Sequence, residues 1–412
     1  MGPVRDFEEY DVQRIEDPLA FADLREEWDD LLAASSADCL FLTWEWLHTW
    51  WKHLGGRRRL HLLLARDGRE LTAIAPLAQR PPVLRRLLLF PALEFLGTET
   101  VGSDYLDVIV RRGREQEASD ALATAWTGAP LVLEFAYVNR ESSFSVALAK
   151  RLGQEGWAVQ DKAINVCPVI DLAGHSWESY LAGLGSAHRY NYQRRLRNLK
   201  KRFDVRLDLV RTEAERQEAL EALVALHTRR WEERGGSDAF ASPGLVSFYD
   251  EVSQLALRRG WLRLFVLRLD GKPAAVLHGY RYGRTFYFYQ SGFDPTFAKE
   301  SVGLVTMGLT IRHAIEEGAA EYDLLRGAEP YKFLWARRVS ELGRLELFAP
   351  GVRGAIYRRL GVGGARVKRT VRWLLGDVLA GWVGSRGWIR VHDTLSAVPG
   401  SEFRDGMAGR ER

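Results

Sequence analysis

An acidic residue inside an apolar strand pattern is the first candidate for chemistry. Asp323 lies in the sequence EYDLL, residues 321–325, with apolar neighbours on both sides. Burial beside a cleft raises the pKa of a carboxylate, which can then accept a proton near neutral pH. A salt bridge to Arg326 or Lys332 explains the same residue equally well. The sequence therefore predicts either a general base or a structural ion pair at Asp323.

A second candidate is a turn that leads into a helix. Ser301 and Gly303 stand directly before apolar residues that recur at helical spacing up to Ile315, and Gly318 supplies the stop. Backbone N–H groups at such a helix start can receive a phosphate, and an ordinary surface turn is the alternative. No Ser/His/Asp set or Cys/His pair has a recognisable spacing, so the sequence does not indicate covalent catalysis.

The elements around these residues are predicted from turns and periodicity. Asp270-Gly271 separates two apolar runs and a third run follows Gly283, a pattern that predicts an antiparallel meander. The helix and the strand at 321–325 then form a parallel crossover, with the turn at Ser301 near the carboxyl end of its strand. The strand-like run WAVQDKAINVCPVIDL (157–172) places Pro168 on a sheet edge.

The pattern around Asp270-Gly271 occurs twice. Asp67-Gly68 also lies between two apolar runs and is followed by a basic residue. One supersecondary unit used twice predicts a duplicated fold. The first copy has no counterpart of Ser301-Val302-Gly303 or of Tyr331-Lys332, so we expect it to build one wall of a cleft, with Asp104 and Tyr105 in that wall.

The segment from about Trp177 to Phe348 resembles the acyltransferase domain of the GNAT superfamily. Its sequence is similar to the Fem-type and CelD-like branch, which includes BioF2-like acetyltransferase domains. The similarity lies in segments that include RLDGKPAAVLHGYRYGRTFYFYQ and KESVGLVTMGLTIRHAIEEGAAEYDLLRGAEPYKFLW. The resemblance implies an acyl-CoA donor, most simply acetyl-CoA, lying between strand 285–290 and strand 321–325. It implies no metal. Lys332 in Tyr331-Lys332 is similar to the lysine of a Phe-Lys motif in Fem-type enzymes, and a surface lysine beside a packed tyrosine is the alternative.

The candidate site residues fall into three groups by expected role. The resemblance implies that the donor contacts Gln290, Lys299, Ser301, Val302 and Gly303. Asp323, Tyr331 and Lys332 are the candidate catalytic residues, with Tyr331 protonating a leaving thiolate and Lys332 neutralising a phosphate or an oxyanion. The candidate acceptor-binding residues are Arg189, Arg195, Trp231, Asp104 and Tyr105.

Composition and charge are those of a globular protein that works inside the cell. The 412 residues carry a net charge of +4 and two cysteines, which form no disulfide framework and no metal-ligand spacing. No run of about eighteen apolar residues is present, so we expect a cytoplasmic protein. The basic, aromatic segment 351–412 packs on the body or contacts the inner face of the plasma membrane.

The expected architecture is an α/β (α+β) chain of two tandem GNAT-like mixed-sheet domains with flanking helices and a short basic helical C-terminal segment. Residues 1–155 form the degenerate copy, 156–350 the acyltransferase domain and 351–412 the extension. The expected activity is N-acylation of a small-molecule or lipid-linked amino sugar, a cell-envelope or exopolysaccharide precursor. An aminoacyl-tRNA-dependent transferase, favoured by the basic helix that begins at Ser186, and a non-catalytic scaffold of a polysaccharide-export complex are the alternatives. No DNA partner is expected.

Overall fold

The computed structural model describes residues 11–81, 92–98, 101–129, 131–232, 242–352, 354–355 and 358. The chain divides into two compact units, Met1–Arg359 and Leu360–Arg412, and all described residues belong to the first. The predicted basic extension, 351–412, therefore lies almost entirely outside the described residues. Among those residues, no helix is both long enough and apolar enough to span a bilayer.

The first half of the described chain begins with short helices and then forms a meander. Thr43 starts the aromatic helix α3 (Trp44–Leu54) by accepting a hydrogen bond from the Trp46 N–H. Two short helices, separated at Leu24, precede it. The elements are β1 (Asp11–Ile15), α1 (Pro18–Asp23), α2 (Arg25–Ala33), α3 (Trp44–Leu54), β2 (Arg59–Asp67), β3 (Glu70–Arg80), β4 (Ala92–Phe95), β5 (Ile109–Val110), α4 (Glu115–Trp126), β6 (Val132–Asn139) and α5 (Phe144–Gln154).

The second half repeats this order with longer helices. Its elements are β7 (Ala158–Asp171), α6 (Trp177–Gly183), α7 (Ser186–Arg202), β8 (Val205–Leu209), α8 (Glu213–Glu232), α9 (Pro243–Arg258), β9 (Leu262–Leu269), β10 (Lys272–Tyr282), β11 (Thr285–Phe293), α10 (Val302–Glu316), β12 (Glu321–Asp323) and β13 (Arg338–Phe348). The predicted meander is confirmed, since β9, β10 and β11 pair antiparallel. Asp270 and Gly271 both have positive φ, as a primed hairpin turn requires. The predicted parallel pairing of β11 with β12 is also confirmed.

The described strands form one sheet whose order is β1-β2-β3-β4-β6-β13-β7-β12-β11-β10-β9-β8, with β5 beside β3. This order reads the same from both ends when each strand is matched with its counterpart: β1 with β8, β2 with β9, β3 with β10, β4 with β11, β6 with β12, and β7 with β13. In each half the fourth and fifth of these strands pair in parallel over three residue pairs, from Ala92–Val132 to Glu94–Glu134 and from Thr285–Glu321 to Tyr287–Asp323. The duplication expected from the sequence is therefore visible in the topology.

The two halves exchange their last strands. β7 follows the first half along the chain but pairs with β12 of the second, whereas β13 follows the second half and pairs with β6 of the first. β7 and β13 also pair with each other at the centre of the sheet. The predicted edge position of Pro168 is therefore wrong: β7 has neighbours on both sides, and the Pro168 carbonyl accepts a hydrogen bond from the Leu324 N–H. The strand β13 was also not predicted; it is a central strand because it pairs with both β6 and β7.

Candidate functional site

The site is organised by the point at which β11 and β12 separate. The two strands pair only as far as Tyr287 and Asp323, and β11 then continues to Phe293. Side chains alternate along a strand, so Asp323 points to the opposite face from Tyr322, whose ring stacks on Phe286 at 4.4 Å. Asp323 thus lies where the gap opens, on the face that meets the first half.

Asp323 is buried and carries two hydrogen bonds. The Tyr105 hydroxyl donates to Oδ2 at 2.6 Å, and the Leu325 N–H donates to Oδ1 at 2.7 Å. Burial raises the pKa of Asp323 to about 7, although both hydrogen bonds favour the charged form and oppose this rise. The side chain can therefore exchange a proton near neutral pH. Tyr105 comes from the predicted wall of the first half, and burial raises its pKa, so its hydroxyl stays protonated as a donor.

Lys332 is buried and holds the turn that follows β12. Its ammonium donates to the Leu325 carbonyl at 3.1 Å and to the Arg326 carbonyl at 2.7 Å, and it lies 3.0 Å from the Glu329 carboxylate. An ammonium has three N–H donors, and these three oxygens engage them. In this arrangement Lys332 fixes the backbone beside Asp323.

Asp104 binds the same turn from the first half. It is fully buried, and its Oδ2 accepts from the Arg326 N–H at 2.9 Å and from the Cys167 thiol at 3.7 Å. Burial raises the pKa of Asp104, and the Arg326 guanidinium, 3.6 Å from Oδ1, opposes the rise. Arg326 also lies over the ring of Tyr137 at 4.1 Å. Asp104 and Lys332 therefore bind the same turn, one from each half of the chain.

Backbone strain concentrates around this turn. Five non-glycine residues of the described chain have positive φ, and three of them, Tyr105, Tyr137 and Leu325, take part in the contacts above. A fourth, Ser301, precedes helix α10. Such conformations each cost on the order of 1–3 kcal/mol and persist where surrounding contacts enforce them. The hydrogen bonds of Asp104, Asp323 and Lys332 supply that enforcement at the turn.

A pocket of about 300 Å³ opens between the halves on the same face. Tyr105 and Asp323 lie in its wall, and the other charged lining residues are Asp38, Asp107, Glu321 and Arg338. Asp107 serves as a cap for α5, accepting from the Phe144 and Ser145 N–H groups at 2.7 and 2.8 Å. Hydroxyl and amide side chains line much of the remainder, including Ser142, Ser340 and Asn139. The pocket is polar and carries more carboxylates than cations.

The turn before α10 lies against the basic helix α7. Arg195 donates to the Lys299 carbonyl at 2.6 Å, and Arg202 pairs with Glu300 at 2.7 Å. Ser301 occupies the cap position, but its hydroxyl accepts no hydrogen bond from the first-turn N–H groups of α10. A Cβ at Gly303 would meet only the Phe293 ring, at an ordinary 3.5 Å. The predicted turn is thus an open helix start.

The remaining predicted residues are spread more widely. Val302 is buried, Lys299 is exposed, and Gln290 accepts a hydrogen bond from the Ser291 N–H through its own side chain. Tyr331 is exposed beside Lys332, and Arg189 donates to the Ala182 carbonyl. Trp231 lies on α8, but its side chain is outside the described residues.

The sequence did not indicate Arg326 and Cys167 as partners of Asp104. The three residues are far apart in the chain and come together only through the exchange of β7 and the meeting of the halves. The one sequence signal for this group of contacts was the close spacing of Asp104 and Asp107, because both carboxylates lie in a loop beside a buried strand.

Comparisons with known proteins bear on the fold. Residues 186–333 match the model of an acetyltransferase (GNAT) domain. The structure of FemX is similar over 84% of this chain and 99% of its own, with a TM-score of 0.60 and 12% identity. A conserved protein of unknown function from Bacteroides thetaiotaomicron VPI-5482 is similar over 82% of this chain and 100% of its own, with a TM-score of 0.51 and 12% identity.

No curated protein matches the chain in sequence. The structural similarities span both halves, whereas the family match falls in the half that carries Asp323 and Lys332. Residues 186–333 therefore match a GNAT acetyltransferase domain, and the two halves together have a fold similar to that of FemX.

Proposed function

We propose that the protein is an N-acyltransferase that moves an acyl group from a thioester donor to an amine. The donor lies in the gap between β11 and β12, and the amine enters from the pocket between the halves. One observation supports this assignment most directly: Asp323 lies both where the gap opens and in the wall of the pocket, with a pKa of about 7. A base with a pKa near the working pH is the most effective kind.

In this mechanism Asp323 accepts a proton from the acceptor ammonium or amine, and the amine nitrogen attacks the thioester carbonyl carbon. The tetrahedral intermediate then collapses, the C–S bond breaks and an amide forms. The departing thiolate takes up a proton, for which Tyr331 is the predicted source. Tyr105 holds Asp323 through its hydroxyl, and Lys332 and Asp104 keep the Leu325 turn in place, so we assign the latter two as positioning residues.

The charge of the pocket favours a cationic, hydroxylated acceptor. Asp38, Asp107, Glu321 and Asp323 are the acidic residues of the described lining, and Arg338 is its one cation. Arg338 pairs with Glu321, which leaves the lining with an excess of negative charge. An amino sugar of a cell-envelope or exopolysaccharide precursor offers both an ammonium and several hydroxyls, and is the acceptor class that we propose.

The donor that we propose is an acyl-CoA, most simply acetyl-CoA. Phosphate groups bind helix N-termini through backbone N–H groups and the helix dipole. The start of α10 has left-handed Ser301 and an uncrowded Gly303. The turn is held in place by Arg195 and Arg202 of α7.

The test compares two variants of Gly303 in thermal unfolding with acetyl-CoA, longer acyl-CoAs and bulk tRNA. A saturating ligand should raise the Tm of the wild type by several degrees. Gly303→Glu places a negative charge where the phosphates should lie, whereas Gly303→Gln has nearly the same shape without the charge. We expect acyl-CoA to stabilise the Gln variant and not the Glu variant. Equal stabilisation of both would exclude α10 as the phosphate site.

A second candidate donor is an aminoacyl-tRNA. Helix α7 has seven basic and no acidic residues, and cationic surfaces bind RNA in a salt-dependent manner. A shift in Tm with tRNA alone would favour this donor. If neither ligand shifts the Tm and no acyl-CoA hydrolysis is measured, the protein is a non-catalytic scaffold.

A further inference from the structure

Three large apolar side chains are exposed together next to the site. Tyr331 is 43% exposed, Phe333 is 44% exposed and Leu334 is 51% exposed. They flank the buried Lys332 within one short 3-10 turn, Lys332–Leu334, and the residue before it. We call Tyr331, Phe333 and Leu334 the lip. Exposed apolar groups in this density mark an interaction surface.

The lip is held outward by a rigid anchor. The ring of Trp335 packs edge-on against His188 at 4.5 Å and against Tyr192 at 5.6 Å, both on α7. The Tyr180 hydroxyl donates to the Trp335 carbonyl at 3.0 Å. Because Lys332 and Trp335, which flank Phe333 and Leu334, are buried, these two side chains cannot turn inward without breaking these contacts.

Cationic side chains border the lip. Arg189 and Arg337 donate to the consecutive carbonyls of Ala182 and Gly183, which places the two arginines together at the start of α7. Further along α7, the exposed Arg194, Arg197, Lys200 and Lys201 lie on the outer surface. Within the described part of the chain, no carboxylate is within ion-pair distance of these six residues.

We infer that the lip and the start of α7 form a binding surface for an anionic lipid bilayer. Aromatic and leucine side chains enter the boundary between headgroups and acyl chains, while arginine and lysine bind the anionic headgroups. The combination favours lipid over RNA, because an RNA site needs the cations but gains little from Phe333 and Leu334. This surface lies within the acyltransferase half and is distinct from the basic segment after residue 350.

This surface would bring the turn at Lys332 close to the bilayer. An acceptor carried by a lipid would then reach the pocket from the membrane plane. The inference does not depend on the identity of the donor, because it concerns binding to vesicles and not transfer.

The test is co-sedimentation of the full-length protein with vesicles. Phosphatidylcholine vesicles with about one third phosphatidylglycerol should bind the wild type, pure phosphatidylcholine vesicles should bind it weakly, and salt should weaken the binding. Replacing Phe333→Ser and Leu334→Ser together should lower the affinity about tenfold or more, because the inserted apolar area is lost. Replacing Arg194→Gln, Arg197→Gln and Lys201→Gln should have a comparable effect.

The matched control is Leu19→Ser with Val246→Ser, which removes two exposed apolar side chains elsewhere and should leave vesicle binding unchanged. A second variant neutralises Arg366, Lys368, Arg369 and Arg372 to glutamine. Undiminished binding of the lip variant would overturn the inference. Loss of binding only in the variant of residues 366–372 would assign the membrane contact to the C-terminal segment and would also overturn it. Thermal unfolding of each variant verifies that it is folded.

Discussion

Asp323 has its properties because of where it is buried, and the sequence could predict only part of that. Its apolar neighbours in EYDLL indicated a buried carboxylate. The choice between a base and an ion pair depended on which groups would face it. Tyr105, which donates to it, is 218 residues away in the chain, and no spacing rule connects the two. Asp104 and Tyr105 were predicted as wall residues, but their partners were not.

Stability should depend on pH through Asp323. Its folded pKa of about 7 lies above the value of 3.8 for a free aspartate, so the native state holds a proton that the unfolded chain releases between these values. Any stabilisation from this proton is complete below about pH 4 and is lost as the pH rises through 7. The free energy of unfolding of Asp323→Asn, relative to that of wild type, should therefore rise by roughly 2–4 kcal/mol as the pH increases from about 4 to 8. Urea unfolding at each pH measures this difference.

The control for this prediction is the counterpart of Asp323 in the first half. Glu134 occupies the matching strand position but is buried in ion pairs with Arg80 and Arg344. Glu134→Gln should lose about 3 kcal/mol near pH 8, because it breaks both ion pairs of a buried carboxylate and leaves the partly buried Arg80 and Arg344 with fewer partners. A similar loss of stability in both variants at this pH would contradict the assigned pKa of Asp323.

At the scale of elements, the meander and α10 were predictable because turn residues and helical periodicity are local. The strand β13 was not. Its sequence RVSELGRLELF includes three charged side chains and a glycine within its first seven residues, and such a pattern does not distinguish a strand from a connecting segment. Only its two neighbours, β6 and β7, make it a central strand.

We expect the main role of Lys332 to be to stabilise the turn after β12, and not to present a charge to a ligand. Lys332→Met should lower the free energy of unfolding by roughly 2–4 kcal/mol, because the Leu325 and Arg326 carbonyls lose a buried donor. Lys299→Met, on the exposed turn before α10, should change it by less than about 0.5 kcal/mol. Denaturant unfolding of both variants measures the difference. Unchanged stability of Lys332→Met would indicate that the ammonium is free to act on a ligand.

For the whole molecule, the repeated Asp-Gly hairpin predicted the duplication, whereas the exchange of β7 and β13 left no trace in the sequence. The pairing of β13 with β6 is set by the packing of distant segments. If the chain is divided at residue 155, neither fragment therefore contains all the strands with which its own strands pair.

This exchange predicts how fragments should behave. Residues 1–155 expressed alone lack β13 and expose the edge of β6, so we expect them to aggregate or to melt without a cooperative transition. Co-expression with residues 156–412 should give a stable complex that co-purifies, since β6 regains its partner. A cooperative thermal transition for the isolated first fragment would contradict this expectation.

The exchange also imposes an order on synthesis. Phe348 of β13 pairs with Val132 of β6, so roughly 200 residues must follow β6 before its neighbour exists. At a ribosomal rate of about 5–20 residues per second, the edge of β6 stays unpaired for on the order of 10–40 s. During this interval we expect the nascent first half to need chaperones, and any slowing of translation before residue 348 should prolong that exposure.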